Sequence, residues 1–404
     1  MVDAMTDEPL LLTGIGRLLM AQVHSVDAPA TLSPWAVLVR DGRVAWVGSP
    51  DEAPSTDRWE DLGTALVSPG LVDAHTHPVF AGDRSDEAAA RLAGQPYSSG
   101  GILRTVAVTR AASDDLLEAL VEERFQAALD GGTTTVEAKS GYGLELADEL
   151  RSLRIVRAAG ERVGIRVVRT FLGAHAVPPE AASTEDYVDE LVHNMIPAVA
   201  GDAEFADVFC DEGFFNLPQA ERVLSAAAAH GMAAKLHAEQ LARTGATELG
   251  VRMGAVSVDH LERLDHEGVA TLAASRTVAT LLPGPALLLG DRLPPARALL
   301  DAGATVALAS DTNAGTYANP SMPLVIGLGA SLLDMTVDEA IAAATSGGAA
   351  AIGLSTETGI IREGLAADLV AWDAEHEGAF ALHLGAVAPL RIWIGGEERG
   401  HGSV

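Results

Sequence analysis

The residues best suited to chemistry begin with His75 and His77, which are one residue apart, follow an apolar run and precede a proline. Side chains on a β-strand alternate in direction, so residues i and i+2 point to the same side. Two imidazoles placed in this way can both reach one metal ion at about 2.0–2.1 Å. Taken alone, the pair is equally consistent with two polar residues at the end of a strand.

Polar residues that could complete such a site stand at the ends of other apolar, β-branched runs. His175, His237, His260 and Asp311 each occupy this position. His237 and Asp311 would add a nitrogen and an oxygen to the first two imidazoles, a set that suits Zn²⁺ or Fe without distinguishing them. We expect one metal ion, because no second carboxylate-rich cluster is visible. His260 is either a further ligand or a base beside the metal-bound water.

The chain has only two lysines, Lys139 and Lys235. Lys139 could be the carboxylated lysine that bridges two metal ions in some hydrolases, but it lies on the second predicted barrel strand rather than after the third or fourth. The interpretation that we favour is a lysine inside the barrel, paired with a carboxylate such as Glu137. Lys235 shares a strand face with His237 and is expected to be a second interior ion-pair partner.

Eight short runs rich in β-branched residues must position these side chains, and they alternate with stretches of helical composition. Eight such units over roughly 280 residues match a (β/α)₈ TIM-like barrel, whose active site lies at the carboxyl ends of the strands. An open, doubly wound sheet is the alternative, but no glycine-rich phosphate loop follows an early strand. The predicted strands are residues 65–77, 133–140, 165–175, 205–212, 232–239, 255–261, 277–283 and 305–311.

Two stretches between strands carry local signals. Residues 114–129 are predicted to form a helix that Ser113 caps and Gly131 and Gly132 end. Residues 101–106, G-I-L-R-T-V, preceded by S-S-G-G, are expected to form a mobile loop near the site.

The two ends of the chain predict a second, smaller domain. Residues 10–65 contain V-L-V-R-D-G-R-V-A-W-V-G, two alternating runs around Asp41-Gly42, which is a hairpin signal. The segments A-D-L-V-A-W-D and L-R-I-W-I-G-G-E near the other end have the same character. We predict that residues 1–65 and 355–404 form a small β-sandwich domain beside a barrel of residues 66–354.

Composition restricts the class of partner. The formal net charge of −29 disfavours nucleic acid and anionic membranes, because both select for clusters of lysine and arginine. No apolar run reaches the roughly 18 to 20 residues of a membrane span, and no secretory signal is visible. The single cysteine, Cys210, suits a reducing compartment. We therefore expect a cytoplasmic protein with a small-molecule substrate and with neither nucleic acid nor membrane as partner.

Several motifs resemble those of the amidohydrolase superfamily of metal-dependent barrel hydrolases. Longer stretches narrow the resemblance to the imidazolonepropionase family, over residues 66–350. H-x-H is shared by the whole superfamily, whereas K-S-G-Y-G-L and F-L-G-A-H-A are much more specific. The matching stretches are, in chain order, D-A-H-T-H-P-V-F-A-G-D-R, E-A-K-S-G-Y-G-L, T-F-L-G-A-H-A-V-P-P-E, D-V-F-C-D-E-G-F-F, K-L-H-A-E-Q, V-D-H-L, A-T-L-L-P-G and S-D-T-N-A-G-T.

This resemblance implies that the chain opens the ring amide of 4-imidazolone-5-propanoate with water to give N-formimidoyl-L-glutamate, a step of histidine degradation. It also implies one Zn²⁺ or Fe³⁺ per subunit and a homodimer. Matched position by position, the implied metal ligands are His75, His77, His237 and Asp311. The implied substrate contacts are Arg84, Tyr142, His175, Gln240, Asn313, Gly315 and Thr316.

The chemistry of these residue types agrees with the implied reaction. A ring amide needs an activated water and stabilisation of negative charge at its carbonyl, and a bound metal supplies both. Asp311 could carry the water's proton to the leaving ring nitrogen, while His260 orients or deprotonates the water and His175 donates to the oxyanion. The guanidinium of Arg84 suits the propanoate carboxylate, although Arg84 could also be a solvated loop residue.

Gln240 distinguishes this hypothesis from its nearest rival. Related deaminases carry a glutamate three residues after the fifth-strand histidine as a proton shuttle, a role that glutamine cannot fill, and Glu239 comes one residue early. The runner-up is an amidohydrolase that acts on a different cyclic amide or on an aromatic amine. A catalytically silent barrel used for binding is a third possibility, which the intact ligand set disfavours.

Overall fold

The computed structural model describes residues 8–20, 34–94 and 100–400. The strands are β1 (Leu10–Ile15), β2 (Arg17–Leu18), β3 (Trp35–Arg40), β4 (Arg43–Gly48), β5 (Arg58–Asp61), β6 (Leu66–Pro69), β7 (Leu71–Thr76), β8 (Thr133–Lys139), β9 (Arg166–Ala174), β10 (Phe205–Cys210), β11 (Ala233–Ala238), β12 (Ser257–His260), β13 (Val278–Leu281), β14 (Val306–Leu308), β15 (Leu369–Trp372), β16 (Pro389–Ile394) and β17 (Glu397–Arg399).

The helices are α1 (Ser85–Leu92), α2 (Gly100–Ala111), α3 (Asp114–Asp130), α4 (Leu146–Val163), α5 (Thr184–Glu190), α6 (Ile196–Val199), α7 (Leu217–Ala229), α8 (Ala246–Met253), α9 (His266–Ala273), α10 (Pro283–Leu289), α11 (Ala296–Asp301), α12 (Met322–Leu332), α13 (Val337–Ala342), α14 (Gly348–Ala351) and α15 (Gly378–His383). A 3₁₀ turn covers Pro50–Glu52, and π-helical turns cover Leu191–Met195 and Ala343–Gly347. Among the described residues, no helix combines the length and apolar character that crossing a bilayer requires.

Eight parallel strands form the central sheet, because β7 to β14 pair with one another in chain order. The first and last of them meet at their carboxyl ends. There the amide of Asp311 donates to the carbonyl of His75, and the amide of His77 donates to that of Thr312, both at 2.9 Å. The predicted (β/α)₈ barrel is confirmed.

The first predicted strand was wrong in extent. Residues 65–77 form two strands rather than one, with β6 in a terminal sheet and β7 in the barrel. Gly70 separates them, and a Cβ atom there would lie 2.1 Å from Thr134 Oγ1. The chain can therefore pass this close to β8 only with glycine at the crossing. The other seven predicted strands lie within three residues of β8 to β14.

Two further sheets, ordered β4-β3-β1-β5 and β17-β16-β15-β6-β2, combine strands from both ends of the chain. The predicted hairpin joins β3 to β4 through Asp41 and Gly42, whose φ values of 51° and 72° match a type I′ turn. Both sheets contribute to one apolar core, which includes Leu12, Ile15, Val37, Val67, Leu369 and Trp393. The small terminal β-domain is thus present, while its exact limits at residues 65 and 355 stay a prediction.

The structure confirms the predicted helix at residues 114–129 and shows that the predicted loop at residues 101–106 is helical. The Ser113 side chain accepts from the amide of Leu116 at 3.3 Å, and α3 ends before Gly131, as predicted. Residues 101–106 lie within α2 and do not form a loop, because Ile102 and Val106 are buried at helical spacing. The two serines expected to begin that loop lie outside the described residues.

Candidate active site

The predicted site residues come together at the carboxyl ends of the barrel strands. All of them except His75 line one cavity of about 370 Å³, part of which is open to solvent. His75 is fully buried beside this cavity, with its Nε2 atom 3.2 Å from that of His77. Ile102 and Phe209 complete the lining as apolar walls.

Four donor atoms converge where a metal ion would bind. His77 Nε2 lies 3.2 Å from His75 Nε2, 3.4 Å from His237 Nε2 and 3.4 Å from Asp311 Oδ1, and His75 Nε2 lies 3.6 Å from Asp311 Oδ1. Four ligands arranged tetrahedrally at about 2.0–2.1 Å from an ion are about 3.3 Å apart. These separations fit one ion, and two groups of possible ligands share His75, namely His75, His77 and His237, and His75, His260 and Asp311. Burial lowers the pKa of His75 and of His77 well below the ordinary value, which favours the neutral imidazole that binds metals.

Two buried carboxylates orient the histidines from behind. Asp259 Oδ2 lies 2.7 Å from Nδ1 of His75, and Asp207 Oδ2 lies 3.0 Å from Nδ1 of His237. A carboxylate at this nitrogen holds the proton there and leaves the Nε2 lone pair directed at the ion.

Lys139 connects these carboxylates beneath the donor atoms. Its ammonium donates to Glu137 at 2.7 Å and to Asp207 at 2.8 Å, and it lies 3.8 Å from Asp259. Burial opposes the charge, but these three carboxylates raise the pKa of Lys139. The interpretation as an interior ion-pair lysine is confirmed. Lys235 lies 3.8 Å from Glu137 and 3.9 Å from Asp259, so it has the same character.

His260 and Asp311 lie on the side of the site formed by β12 and the segment after β14, next to the three histidine nitrogens. The ring centroid of His260 is 5.5 Å from that of His75, and its Nδ1 atom is 3.6 Å from Glu262 Oε1. Burial raises the pKa of Asp311 to about 7, while His260 opposes this shift. Both residues have positive φ, 84° for His260 and 51° for Asp311, a conformation that is costly outside glycine. The barrel therefore holds both in strained geometry that points them into the cavity.

His175 and Tyr142 form the opposite wall. The Nδ1 atom of His175 donates to the carbonyl of Gly141 at 2.9 Å, and burial lowers the pKa of His175 to about 3. The neutral ring then has an unprotonated Nε2, which can accept a hydrogen bond. Its ring stacks on His77 with centroids 5.2 Å apart, and the Tyr142 ring lies 5.3 Å away.

Arg84 is buried in the cavity wall and is not a solvated loop residue. Its guanidinium donates to Glu87 Oε2 from Nη2 at 2.7 Å and from Nε at 3.1 Å. The backbone is very close on two sides, because a Cβ atom at Gly101 or at Gly315 would lie 1.7 Å or 2.2 Å from guanidinium nitrogens. Both glycines are needed for Arg84 to occupy this position.

Asn313, Gly315 and Thr316 form a tight turn after β14. The Asn313 side chain accepts from the amides of Gly315 and Thr316 at 2.7 Å and 2.8 Å, and it donates to Thr316 Oγ1 at 2.7 Å. This self-bonded turn presents the backbone of Gly315 to Arg84.

Gln240 and Glu239 have different surroundings. The Gln240 side chain lines the cavity, and the backbone N–H of Gln240 donates to Asp211 Oδ2 at 2.7 Å. Glu239 accepts from the amides of Thr244 and Gly245, both at 3.0 Å, and pairs with Arg243. Its carboxylate is thus engaged in holding its own loop, and it is not part of the cavity lining.

Known proteins match this chain along most of its length. Residues 66–399 match the amidohydrolase family. An imidazolonepropionase of Nocardia farcinica is 44% identical over 384 residues, which are 95% of this chain and 96% of the relative. One of Rubrobacter xylanophilus is 46% identical over 365 residues, with 87% and 88% covered. The chain belongs to the amidohydrolase family and, within it, to the imidazolonepropionases.

Membership makes the chain a hydrolase that acts on a cyclic amide, and the family is metal-dependent. The fold agrees with a solved structure of an adenosine deaminase from Xanthomonas campestris, which contains zinc. The two match with a TM-score of 0.73 and 20% identity over 96% of this chain and 92% of that one. At this identity the likeness concerns the fold alone.

Sequence reasoning did not single out Asp207, Asp259 or Phe209. The signal that could have found Asp207 and Phe209 is strand alternation, since they are two residues apart on β10 and Phe209 pairs in register with His237. Asp259 pairs with His237 from the other side, on β12. Reading the fourth predicted strand backwards in steps of two from Asp211 reaches Asp207, whereas the same procedure misses Asp259, which directly precedes His260.

Proposed function

We propose that the chain hydrolyses the ring amide of 4-imidazolone-5-propanoate to N-formimidoyl-L-glutamate, a step of histidine degradation. The observation that carries this proposal is the pairing of two features in one cavity. Three histidine nitrogens and the Asp311 carboxylate converge on one point, and the buried guanidinium of Arg84 lines the same space. The first feature suits amide hydrolysis, and the second suits a substrate with a fixed carboxylate.

His75, His77, His237 and Asp311 would hold one ion per subunit. Three nitrogens and one oxygen suit Zn²⁺, with Fe³⁺ as the alternative. When bound, such an ion polarises the scissile carbonyl and lowers the pKa of a coordinated water to about 7. Lys139 does not act as a bridging ligand in this proposal, because Glu137 and Asp207 already occupy its ammonium.

Arg84 binds the propanoate carboxylate of the substrate. The Glu87 carboxylate occupies the Nε edge of the guanidinium, so Nη1, which faces Gly315, is left to meet the substrate. Asn313, Gly315 and Thr316 surround the carboxylates of the product from the same side. The two glycines beside Arg84 let the guanidinium lie directly against the backbone, which orients the substrate ring over the metal ligands.

Proton transfer is assigned to Asp311 and His260. His260 orients the attacking water through its ring, and the Asp311 carboxylate accepts the proton and delivers it to the leaving ring nitrogen. Donation by His175 to an oxyanion, the role expected from the sequence, would need a second proton on that ring. His175 is therefore assigned to accept an N–H of the substrate at Nε2. Gln240 contacts the substrate as a hydrogen-bonding amide, which favours hydrolysis over deamination.

The test is turnover of enzymatically generated imidazolonepropionate by zinc-loaded protein. The expected result is loss of the ultraviolet absorbance of the substrate together with formation of formimidoylglutamate. A control with an aromatic amine substrate of the deaminases should give no ammonia. No turnover of imidazolonepropionate by protein with a full complement of metal would overturn the substrate while leaving the family intact.

The wider assignments follow the family resemblance and the composition. The protein is proposed to be a cytoplasmic homodimer that binds neither nucleic acid nor membrane. Light scattering after size-exclusion chromatography tests the dimer, since a monomer has a mass of 41.7 kDa. A single peak at that mass would contradict it.

A further inference from the structure

Glu149, in the first turn of α4, is fully buried and does not line the cavity. Its carboxylate accepts from three backbone amides of the loop that follows β8. The distances are 3.1 Å to Gly141 N, 2.9 Å to Gly143 N and 2.8 Å to Leu144 N. Burial raises the pKa of Glu149, while the Ser140 side chain and the three backbone amides oppose this rise. No ion pair of Glu149 is found among the described residues, so its charge is stabilised by hydrogen bonds and not by a cation.

The loop that Glu149 holds carries Tyr142 at its centre. Gly141 and Leu144 have φ values of 101° and 55°, and a Cβ atom on Gly143 would lie 2.7 Å from the amide of Glu149. Such a conformation persists only where surrounding bonds over-determine it. One carboxylate therefore fixes the peptide that follows Tyr142 and the peptide that precedes Gly141.

The same loop is bound through its carbonyl groups. Gly141 O accepts from His175 Nδ1 at 2.9 Å, and Gly143 O accepts from Arg110 Nε at 2.6 Å. The N–H of the peptide between Ser140 and Gly141 donates to Glu149. The carbonyl of the next peptide accepts from His175. A shift of Gly141 would thus be transmitted directly to the His175 ring.

We propose that Glu149 is a positioning residue for substrate binding, which orients Tyr142 and, through the Gly141 carbonyl, sets the tautomer and direction of His175. This inference rests on the proposed function of Tyr142 and His175 as substrate contacts. A parallel arrangement supports it. Asp211 accepts from the amides of Gln240 and Leu241 at 2.7 Å and 2.8 Å, so a second loop that bears a substrate contact is held in the same way.

The decisive variant is Glu149→Gln, which keeps the shape of the side chain. One oxygen can still accept from Gly143 and Leu144 and, at 3.2 Å, from Gly141, but the new NH2 group replaces the oxygen that accepts from Gly141 at 3.1 Å. Placing a donor against this buried amide should raise KM for imidazolonepropionate about tenfold, with a smaller fall in kcat and unchanged metal content. Glu149→Asp keeps the charge and should show a smaller rise in KM. This variant replaces Glu149→Gln in the measurement if the glutamine variant does not fold.

The matched control is Asp368→Asn. Asp368 is likewise buried and accepts from a backbone amide, Gly395 N, at 2.8 Å, but it also pairs with Arg166 at the start of β9 and does not line the cavity. This variant should lower Tm without changing KM. An equal rise in KM for Asp368→Asn would show that general destabilisation, and not positioning, is the cause.

A spectroscopic readout separates this proposal from the proposed function. In zinc-loaded protein labelled with ¹⁵N-histidine, the Nδ1-bound proton of His175 should give a slowly exchanging signal, identified by its absence in His175→Gln. Glu149→Gln should shift this signal or lose it to exchange, whereas Asp368→Asn should not. An unmoved signal with unchanged KM overturns the role of Glu149. A moved signal in protein that never turns over imidazolonepropionate supports the positioning role and refutes only the substrate.

Discussion

The barrel interior beneath the site and the core of the terminal β-domain are equally buried but differ in composition. The terminal core is built around apolar side chains, among them Leu12, Val37, Leu369 and Trp393, and its buried polar residues include Ser68 and Asp368. The barrel interior places charged groups at 0–1% exposure, namely Glu137, Lys139, Asp207, Lys235 and Asp259.

Function, not burial, therefore decides that the barrel interior is charged while the core of the terminal domain is mainly apolar. Three carboxylates and two ammonium groups leave a formal excess of one negative charge under the metal ligands. Buried ion pairs seldom stabilise a fold better than apolar packing would, so their presence marks a site. The excess charge favours a cation above it. The terminal core holds no such site and gains most of its stability from apolar burial.

The largest expected effect comes from removing a metal ligand of the charged interior. His237→Ala should abolish stoichiometric metal binding and lower kcat/KM by about a thousandfold or more, because carbonyl polarisation and water activation are lost together. Metal analysis and kinetics check this, with His193→Ala on an exposed helical turn as the control. Full metal content in His237→Ala would contradict the ligand assignment.

Breaking the charged interior without touching a ligand should cost stability. Lys139→Met leaves Glu137 and Asp207 buried without their cation, which should lower the free energy of unfolding by about 3–5 kcal/mol in urea titrations. Arg162→Met, which removes an exposed pair with Glu118, should cost less than about 1 kcal/mol. Similar losses in the two variants would erase the distinction between buried and exposed pairs.

The apolar core should respond in stability alone. Leu12→Ala removes a fully buried side chain of the terminal domain and should lower the free energy of unfolding by about 3 kcal/mol. KM for imidazolonepropionate should stay unchanged, because no cavity residue comes from this domain. The exposed Leu382→Ala should change stability by less than about 0.5 kcal/mol. A rise in KM for Leu12→Ala would show that the two regions are coupled.

Arg84→Ala should have the smallest free-energy effect of the series and the most selective one. Loss of a charge-assisted contact to the substrate carboxylate should raise KM about a hundredfold, or about 2.7 kcal/mol, with metal content unchanged. Arg157→Ala, which removes an exposed arginine paired with Glu161, is the control and should have no effect on KM. Loss of metal in Arg84→Ala would contradict the proposed role of Arg84 in binding the substrate carboxylate, because it would show that Arg84 supports the metal site.

Periodicity predicted the barrel well, because residues of one strand suffice to show alternation and a polar end. His237 and Asp311 were found in this way. Asp207, Asp259 and Glu149 were not found, since their roles depend on partners on other elements, with Glu149 bonded to a loop before its own helix. The division of residues 65–77 was missed because Pro69-Gly70, a turn signal, was placed inside one predicted strand; the close approach of Gly70 to Thr134 lies at this break. Helix α2 was predicted to be a loop because Gly100 and Gly101 indicated a loop, and the helical spacing of Ile102 and Val106 was not used.

The junction of β7 with the segment after β14 has a consequence for biosynthesis. His75 and Asp311 lie at opposite ends of the barrel sequence and are joined by a hydrogen bond from the Asp311 amide to the His75 carbonyl. A ribosome-bound chain would therefore lack the complete ligand set until its last barrel strand had emerged and docked. With the proposed ligand set, an ion that binds before this point would meet only the incomplete histidine cluster, and the complete site would form after closure of the ring.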